Sequence, residues 1–243
     1  MLPIRHIALL LLLGAPLLPL GAGEAGATGA EPAAKPGYEI APPHPGGIGT
    51  YYLGREIAQV MGHQAADWLD RPGREKEENP NALLKILDLQ PGQVVADVGA
   101  GTGYYSFRIA PRVGRVLAVD IQQEMLDLLN AKAKKLGIAN VETVLGTITD
   151  PKLPAGGVDI VLLVDVYHEF DHPIEMMTAI RTALKPGGKV VQVEFRAEDA
   201  AVPIKTLHKM SEEQARKEMA SFGLTFVSTN ESLPWQHVMI FSK

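Results

Sequence analysis

Directly after the apolar run Val94-Val95-Ala96, the chain reads Asp97-Val98-Gly99-Ala100-Gly101-Thr102-Gly103. Three glycines at alternate positions belong to neither a regular helix nor a strand. They let the backbone reverse sharply and let a ligand approach without meeting a Cβ. A strand entering such a turn, with a helix leaving it, is the opening unit of an α/β sheet. Asp120 ends the next apolar run, Val116-Leu117-Ala118-Val119. A carboxylate there can accept both hydroxyls of a ribose, and in open α/β sheets ligands bind beyond the carboxyl ends of the strands.

The remainder follows the same rhythm. Strands are expected at 94–97, 116–120, 141–145, 158–166 and 190–195, with helices at 104–110, 123–135 and 173–184. The run at 158–166 is almost wholly apolar, as a central parallel strand should be. Lys185-Pro186-Gly187-Gly188 is read as a turn that stops a helix. Ser211-Glu212-Glu213-Gln214 is a capping box opening a helix to about Phe222. Leu224 to Thr229 and His237 to Ser242 read as two strands joined by a short loop, which joins only antiparallel neighbours. The expected fold is α/β, a Rossmann-like, doubly wound, seven-stranded sheet, mostly parallel with a C-terminal antiparallel strand.

Upstream the composition changes. Ile7 to Leu20 is an apolar run behind Arg5 and His6, and Ala25-Gly26-Ala27 fits an A-x-A cleavage pattern. Residues 1–27 therefore read as a secretory signal peptide, too short and proline-broken for a spanning helix. That implies an exported protein, periplasmic or extracellular, without stable membrane insertion after cleavage; a misassigned start would leave it cytoplasmic. Residues 28–50 are dense in Gly and Pro and read as an extended or disordered tether. Residues 51–90 read as an N-terminal helical cap, and 91–243 as the main domain. Within the cap, 67–74 is a candidate lid, Trp68 is read as core, and Glu75-Lys76-Glu77-Glu78 as a solvated face.

The chain has 243 residues, with 23 basic and 28 acidic residues and a net charge of −5. A basic nucleic-acid binder is not the default reading. There are no cysteines, which excludes disulfides, thiolate metal sites and cysteine nucleophiles. The seven histidines are scattered along the sequence, and no metal site is expected from it.

Two cofactor classes share the glycine layout. A dinucleotide fingerprint, G-x-G-x-x-G, needs a third glycine where Tyr104 stands. S-adenosylmethionine has no phosphate to cradle, and an acid such as Asp97 beside the turn can meet its positive groups. A nicotinamide-dependent reductase is thereby disfavoured.

The stretch Val94–Gly103 resembles the first motif of class I S-adenosylmethionine-dependent methyltransferases. Asp120 is similar to their ribose-binding acid, Asp159–Phe170 resembles the motif of their fourth strand, and Leu184–Lys189 their turn before strand five. The resemblance covers about residues 80–243 and implies S-adenosylmethionine as cofactor. It assigns Asp97, Gly99, Ala100, Gly101, Thr102, Gly103, Asp120, Ile121 and Asp165 to the cofactor site. Where such enzymes often carry an acid for the adenine amino group, this chain has Gly146-Thr147. Thr147, through hydroxyl or backbone, and Ile148, by packing on the ring, are expected to take that place.

Methyl transfer is an in-line displacement in which the protein aligns the nucleophile and removes its proton. Candidate catalytic residues are His168 and Glu169 after the fourth strand, Glu194 at the end of the fifth, and His208 before the capped helix. Asp171 and His172 are read as helix caps at Pro173. The expected acceptor is a small molecule with an O, N or C nucleophile rather than a nucleic acid. A non-catalytic S-adenosylmethionine-binding sensor or accessory protein is the alternative.

Overall fold

A computed structural model of the chain describes residues 35–243; the expected signal peptide lies outside the described residues. The first described elements are β1 (Tyr38–Ile40), β2 (Gly47–Tyr52) and β3 (Arg55–Ala58), an antiparallel three-stranded sheet. Short helices α1 (Ala66–Leu69) and α2 (Arg74–Glu78) lead to α3 (Pro80–Leu87), where the Asn79 side chain accepts from the Ala82 amide. Then come β4 (Val94–Val98), α4 (Ser106–Ile109), β5 (Arg115–Asp120), α5 (Gln123–Leu136), β6 (Val141–Leu145), β7 (Val158–Val164), α6 (Pro173–Ala183) and β8 (Leu184–Arg196). The chain ends with β9 (Lys209–Met210), α7 (Glu212–Ser221), β10 (Thr225–Asn230) and β11 (Gln236–Ser242).

The large sheet runs β10-β11-β8-β7-β4-β5-β6, with β9 beside β8. Pairings from β6 to β8 are parallel, and β11 is antiparallel to both neighbours. The expected seven strands are present, and the two-residue β9 makes an eighth. Strand order reverses between β4 and β7, so a crevice opens there at the carboxyl ends.

Side chains alternate between two cores, as strand geometry dictates. Ala96, Val98, Val161 and Leu163 face Met176, Met177 and Ile180 of α6 and Ala215 and Met219 of α7. Val95, Val116, Ile160 and Leu162 face α3 and α4 through Leu83, Leu84, Leu87 and Ile109. Each fully buried aliphatic side chain stabilises the fold by about 1.5–3 kcal/mol. Among the described residues no helix is long and apolar enough to cross a membrane.

Three expectations need correction. Residues 38–58 are not tether followed by helix; they form β1–β3. Leu53 and Gly54 both have positive φ, the requirement of a two-residue type I′ hairpin turn. The Gly and Pro density conceals apolar anchors: Tyr38, Tyr52 and Ile57 are buried against Ile174 and Phe222. Tyr52 stacks on Phe222 at 5.6 Å, and the Tyr38 hydroxyl donates to Glu175 at 2.6 Å. Secondly, Lys185–Gly188 is the beginning of β8 rather than a separate turn, because α6 ends at Ala183 and Leu184 already pairs with Val158. Thirdly, Glu78 is fully buried, because Arg74 and Arg71 reach it at 2.8 and 3.1 Å and the Tyr105 hydroxyl at 3.2 Å.

Candidate active site

The crevice at the β4/β7 reversal opens into a cavity of about 600 Å³. Its floor is the glycine turn. The amides of Gly99 and Ala100 donate to the Val119 carbonyl at 2.8 and 2.9 Å, which folds the turn back onto β5. Gly101 and Gly103 sit at φ +52° and +80°, where a side chain is strained. A Cβ on Gly101 would lie 2.6 Å from Leu69, and one on Gly103 2.6 Å from Phe107. Asp120 completes the turn: its Oδ2 accepts from the Gly101 amide and its Oδ1 from the Gln122 amide, both at 2.9 Å. A carboxylate has about four lone-pair positions, so two stay available to a diol.

Three buried carboxyl groups line this part of the cavity: Asp97, Asp120 and Asp165. Burial pushes Asp97 up to about 6, against the opposing pull of the Ser106 hydroxyl at 2.6 Å and of Arg74. Burial likewise raises Asp120, despite its amide donors, and drives Asp165 well above the usual carboxylate range. Asp165 holds a left-handed backbone, φ +50°, and accepts from the Gln236 side chain at 2.7 Å. Its other oxygen, Oδ1, is buried with no partner. Under-compensated acids around one cavity fit a cationic ligand, whose charge supplies the missing counter-ion.

On the acceptor side, His168 Nδ1 lies 2.6 Å from Glu194 Oε2, and His168 Nε2 lies 3.0 Å from His208 Nδ1. Burial alone would lower the His168 imidazole; the Glu194 carboxylate outweighs it, and the net shift is upward. Glu169 Oε1 stands 3.3 Å from His208 Nδ1, and the other carboxyl oxygen accepts from the Met61 amide at 3.3 Å. His168, Glu169 and His208 line the cavity. Glu194 is fully buried behind His168 and orients it. All four catalytic candidates therefore converge, although they come from three separate segments.

Other candidates divide. Ile121 and Ile148 present half-exposed apolar side chains to the cavity rim. The Thr147 hydroxyl accepts from the Asp150 amide at 3.0 Å and the Thr147 amide donates to the Asp150 carbonyl, while the residue lines the cavity beside Ile148. His172 stands at the start of α6 but makes no side-chain cap bond, and Asp171 faces the cavity instead. Trp68 is 42% exposed and lines the cavity rather than the core, with the Arg71 guanidinium 3.7 Å from its ring. Leu69 and Arg74 join it, so the 67–74 segment does form one wall. Sequence reasoning missed Met61 and Lys205, both cavity residues. It also missed that His168, Glu169 and His208 offer ligand atoms within 4.8 Å of one another. The stretch His168-Glu169-Phe170-Asp171-His172 has H-E-x-x-H spacing and marks the first two, but the fold brings in His208, forty residues on, rather than His172.

Residues 95–188 match the profile of the methyltransferase domain family. This part of the chain is a methyltransferase domain. The chain is 39% identical over 82 residues to a nocamycin O-methyltransferase of Saccharothrix syringae, which covers 32% of this chain and 29% of that protein. It is 35% identical over 143 residues to an uncharacterized methyltransferase of Mycobacterium tuberculosis, 59% of this chain and 48% of that protein. It is 31% identical over 110 residues to a tRNA U34 carboxymethyltransferase of Desulfotalea psychrophila, 45% and 34% of the two chains. The chain thus spans less than half the length of each of these relatives. A solved S-adenosylmethionine-dependent methyltransferase from Aquifex aeolicus superposes with a TM-score of 0.71 at 24% identity, over 75% of this chain and 99% of that one. Methyltransferase domains of this fold use S-adenosylmethionine. The glycine cradle, the buried acids and the unpartnered Asp165 oxygen of this methyltransferase domain fit that cofactor.

Proposed function

We propose that the protein is a methyltransferase that moves a methyl group from S-adenosylmethionine to a small-molecule nucleophile. One observation carries this reading: a single cavity is lined by the glycine turn and Asp120 and also by His168, Glu169 and His208. Bound S-adenosylmethionine supplies a methyl group already activated by its sulfonium charge. Asp120 would accept the ribose hydroxyls, and Asp97 and Asp165 would hold the positive end. Ile121 and Ile148 would flank the adenine, with no acid to select its amino group. Trp68 and Leu69 keep water from one side. His168 Nε2, oriented by Glu194 through Nδ1, is placed to take the acceptor's proton. The recessed cavity and the net charge of −5 favour a small acceptor over a nucleic acid.

Calorimetric titration of the purified protein is the direct test. S-adenosylmethionine and S-adenosylhomocysteine should bind and NADH should not. No heat with either sulfur ligand would remove the methyltransferase reading.

The same titration carries a pH signature. Because Asp97 is raised to about 6, its ionised form is the minority form below that pH, and a cationic ligand binds the ionised form. Affinity for S-adenosylmethionine should fall about fivefold between pH 6 and pH 5, as the ionised share drops from about one half to about one eleventh, and approach one decade per unit below that, on top of any decline from Asp120 and Asp165. The Asp97→Asn protein should show a shallower slope. In the ligand-free protein the sign is reversed for stability: a raised carboxyl contributes most below its unfolded value and loses that contribution as pH rises through about 6.

A further inference from the structure

We propose that His168, Glu169 and His208 form a binding site for one divalent transition-metal cation, with an oxygen of the methyl acceptor as a further ligand. His168 Nε2, His208 Nδ1 and Glu169 Oε1 meet at 3.0, 3.3 and 3.9 Å. For metal bonds of about 2.1 Å, neighbouring ligand atoms are about 3.0 Å apart at a right angle and about 3.4 Å apart at a tetrahedral one. Two edges already match. The third needs a shift of the Glu169 carboxylate, whose Met61 contact is long at 3.3 Å.

The proton inventory supports the same reading. His168 Nδ1 is engaged by Glu194 at 2.6 Å, so the neutral ring carries its proton there and turns the Nε2 lone pair toward the other two atoms. The rings of His168 and His208 meet edge to face, at 83° with centroids 5.0 Å apart, so they aim nitrogens rather than stack. Three atoms able to offer a lone pair converge there. A cation satisfies all three. The carboxylate behind a metal-ligating imidazole is the usual orienting partner, and Glu194, fully buried, occupies that place. Two imidazoles and one carboxylate suit zinc, iron(II), manganese, cobalt or nickel rather than magnesium or calcium.

All three ligands line the cavity, so the coordination positions left open face the acceptor's space. With the cation bound, His168 Nε2 serves as a ligand rather than as the base; an acceptor hydroxyl bound there loses its proton to solvent water more readily and remains as an oxyanion, the better nucleophile. Assigning an oxygen acceptor rests on the methyltransferase reading; the cation site itself does not.

Cobalt(II) is the probe, added to the purified, chelator-stripped full chain. Visible d–d absorption should saturate at one equivalent. It should be lost in His208→Ala and Glu169→Ala, weakened about 10–100-fold in Glu194→Gln, and unchanged in His44→Ala. Calorimetry with S-adenosylmethionine on the same samples reports whether each variant is folded. Saturation lost in His208→Ala while cofactor binding persists supports the site. Absence of cobalt binding by a parent protein that binds S-adenosylmethionine overturns it, as does full retention in His208→Ala. Cobalt binding without cofactor binding would leave the site standing and remove the methyltransferase reading.

Discussion

The Asp120→Ala protein is expected to bind S-adenosylmethionine about 30- to 1,000-fold more weakly than the parent. The substitution takes a charged acceptor from the Gly101 and Gln122 amides, each at 2.9 Å. It also removes the oxygens assigned to the ribose. Hydrogen bonds to a charged group are worth about 1.5–3 kcal/mol each, and losing the ribose pair in part gives about 2–4 kcal/mol, with 1.4 kcal/mol per tenfold. Asp120→Asn keeps one acceptor oxygen and should fall between the two. Calorimetry settles the matter. An Asp120→Ala affinity within threefold of the parent would mean that the ribose does not lie against β5.

The largest loss of stability is expected at Glu218, far from the chemistry. Its carboxylate is fully buried in α7 and receives Arg55 at 2.7 and 2.9 Å, the Tyr167 hydroxyl at 2.6 Å and the Gln214 amide at 2.8 Å. Glu218→Ala leaves the largely buried Arg55 guanidinium without a counter-ion. Breaking a buried pair from one side costs about 3–5 kcal/mol, roughly 6–20 °C in Tm for a domain of this size. Thermal unfolding of Glu218→Ala beside Glu218→Gln checks this, since the amide still accepts from Tyr167. A Tm change below about 2 °C in the alanine protein would show that Arg55 finds water instead.

What could be read in advance, and what could not, follows from the range of the interactions. The turn Gly99–Gly103 and the strands around it were legible because glycine spacing and apolar runs are local properties. The β1–β3 sheet was not legible. Its Gly and Pro content dominates the composition, while Tyr38, Tyr52 and Arg55 find partners far along the chain, at Glu175, Ser221 and Glu218. Glu78 lies in a run of charges that looks solvated until Arg71 and Arg74 fold over it. Each catalytic candidate could be named from its place after a strand, yet the meeting of His168 with Glu194 depends on parallel register, which sets Val164 beside Val193. The contact of His208 with His168 and Glu169 depends on a loop that no periodicity describes.

The docking of β1–β3 also has a consequence for the order in which the molecule is made. Arg55 closes on a residue 163 positions later, and Tyr52 on one 169 positions later. Of the described strands, the first to leave the ribosome must wait for almost the whole chain before their binding surface is complete. Contacts of such separation are the slow ones in folding. Translation sets one chronology and assembly another, and strands made early are among the last to be secured.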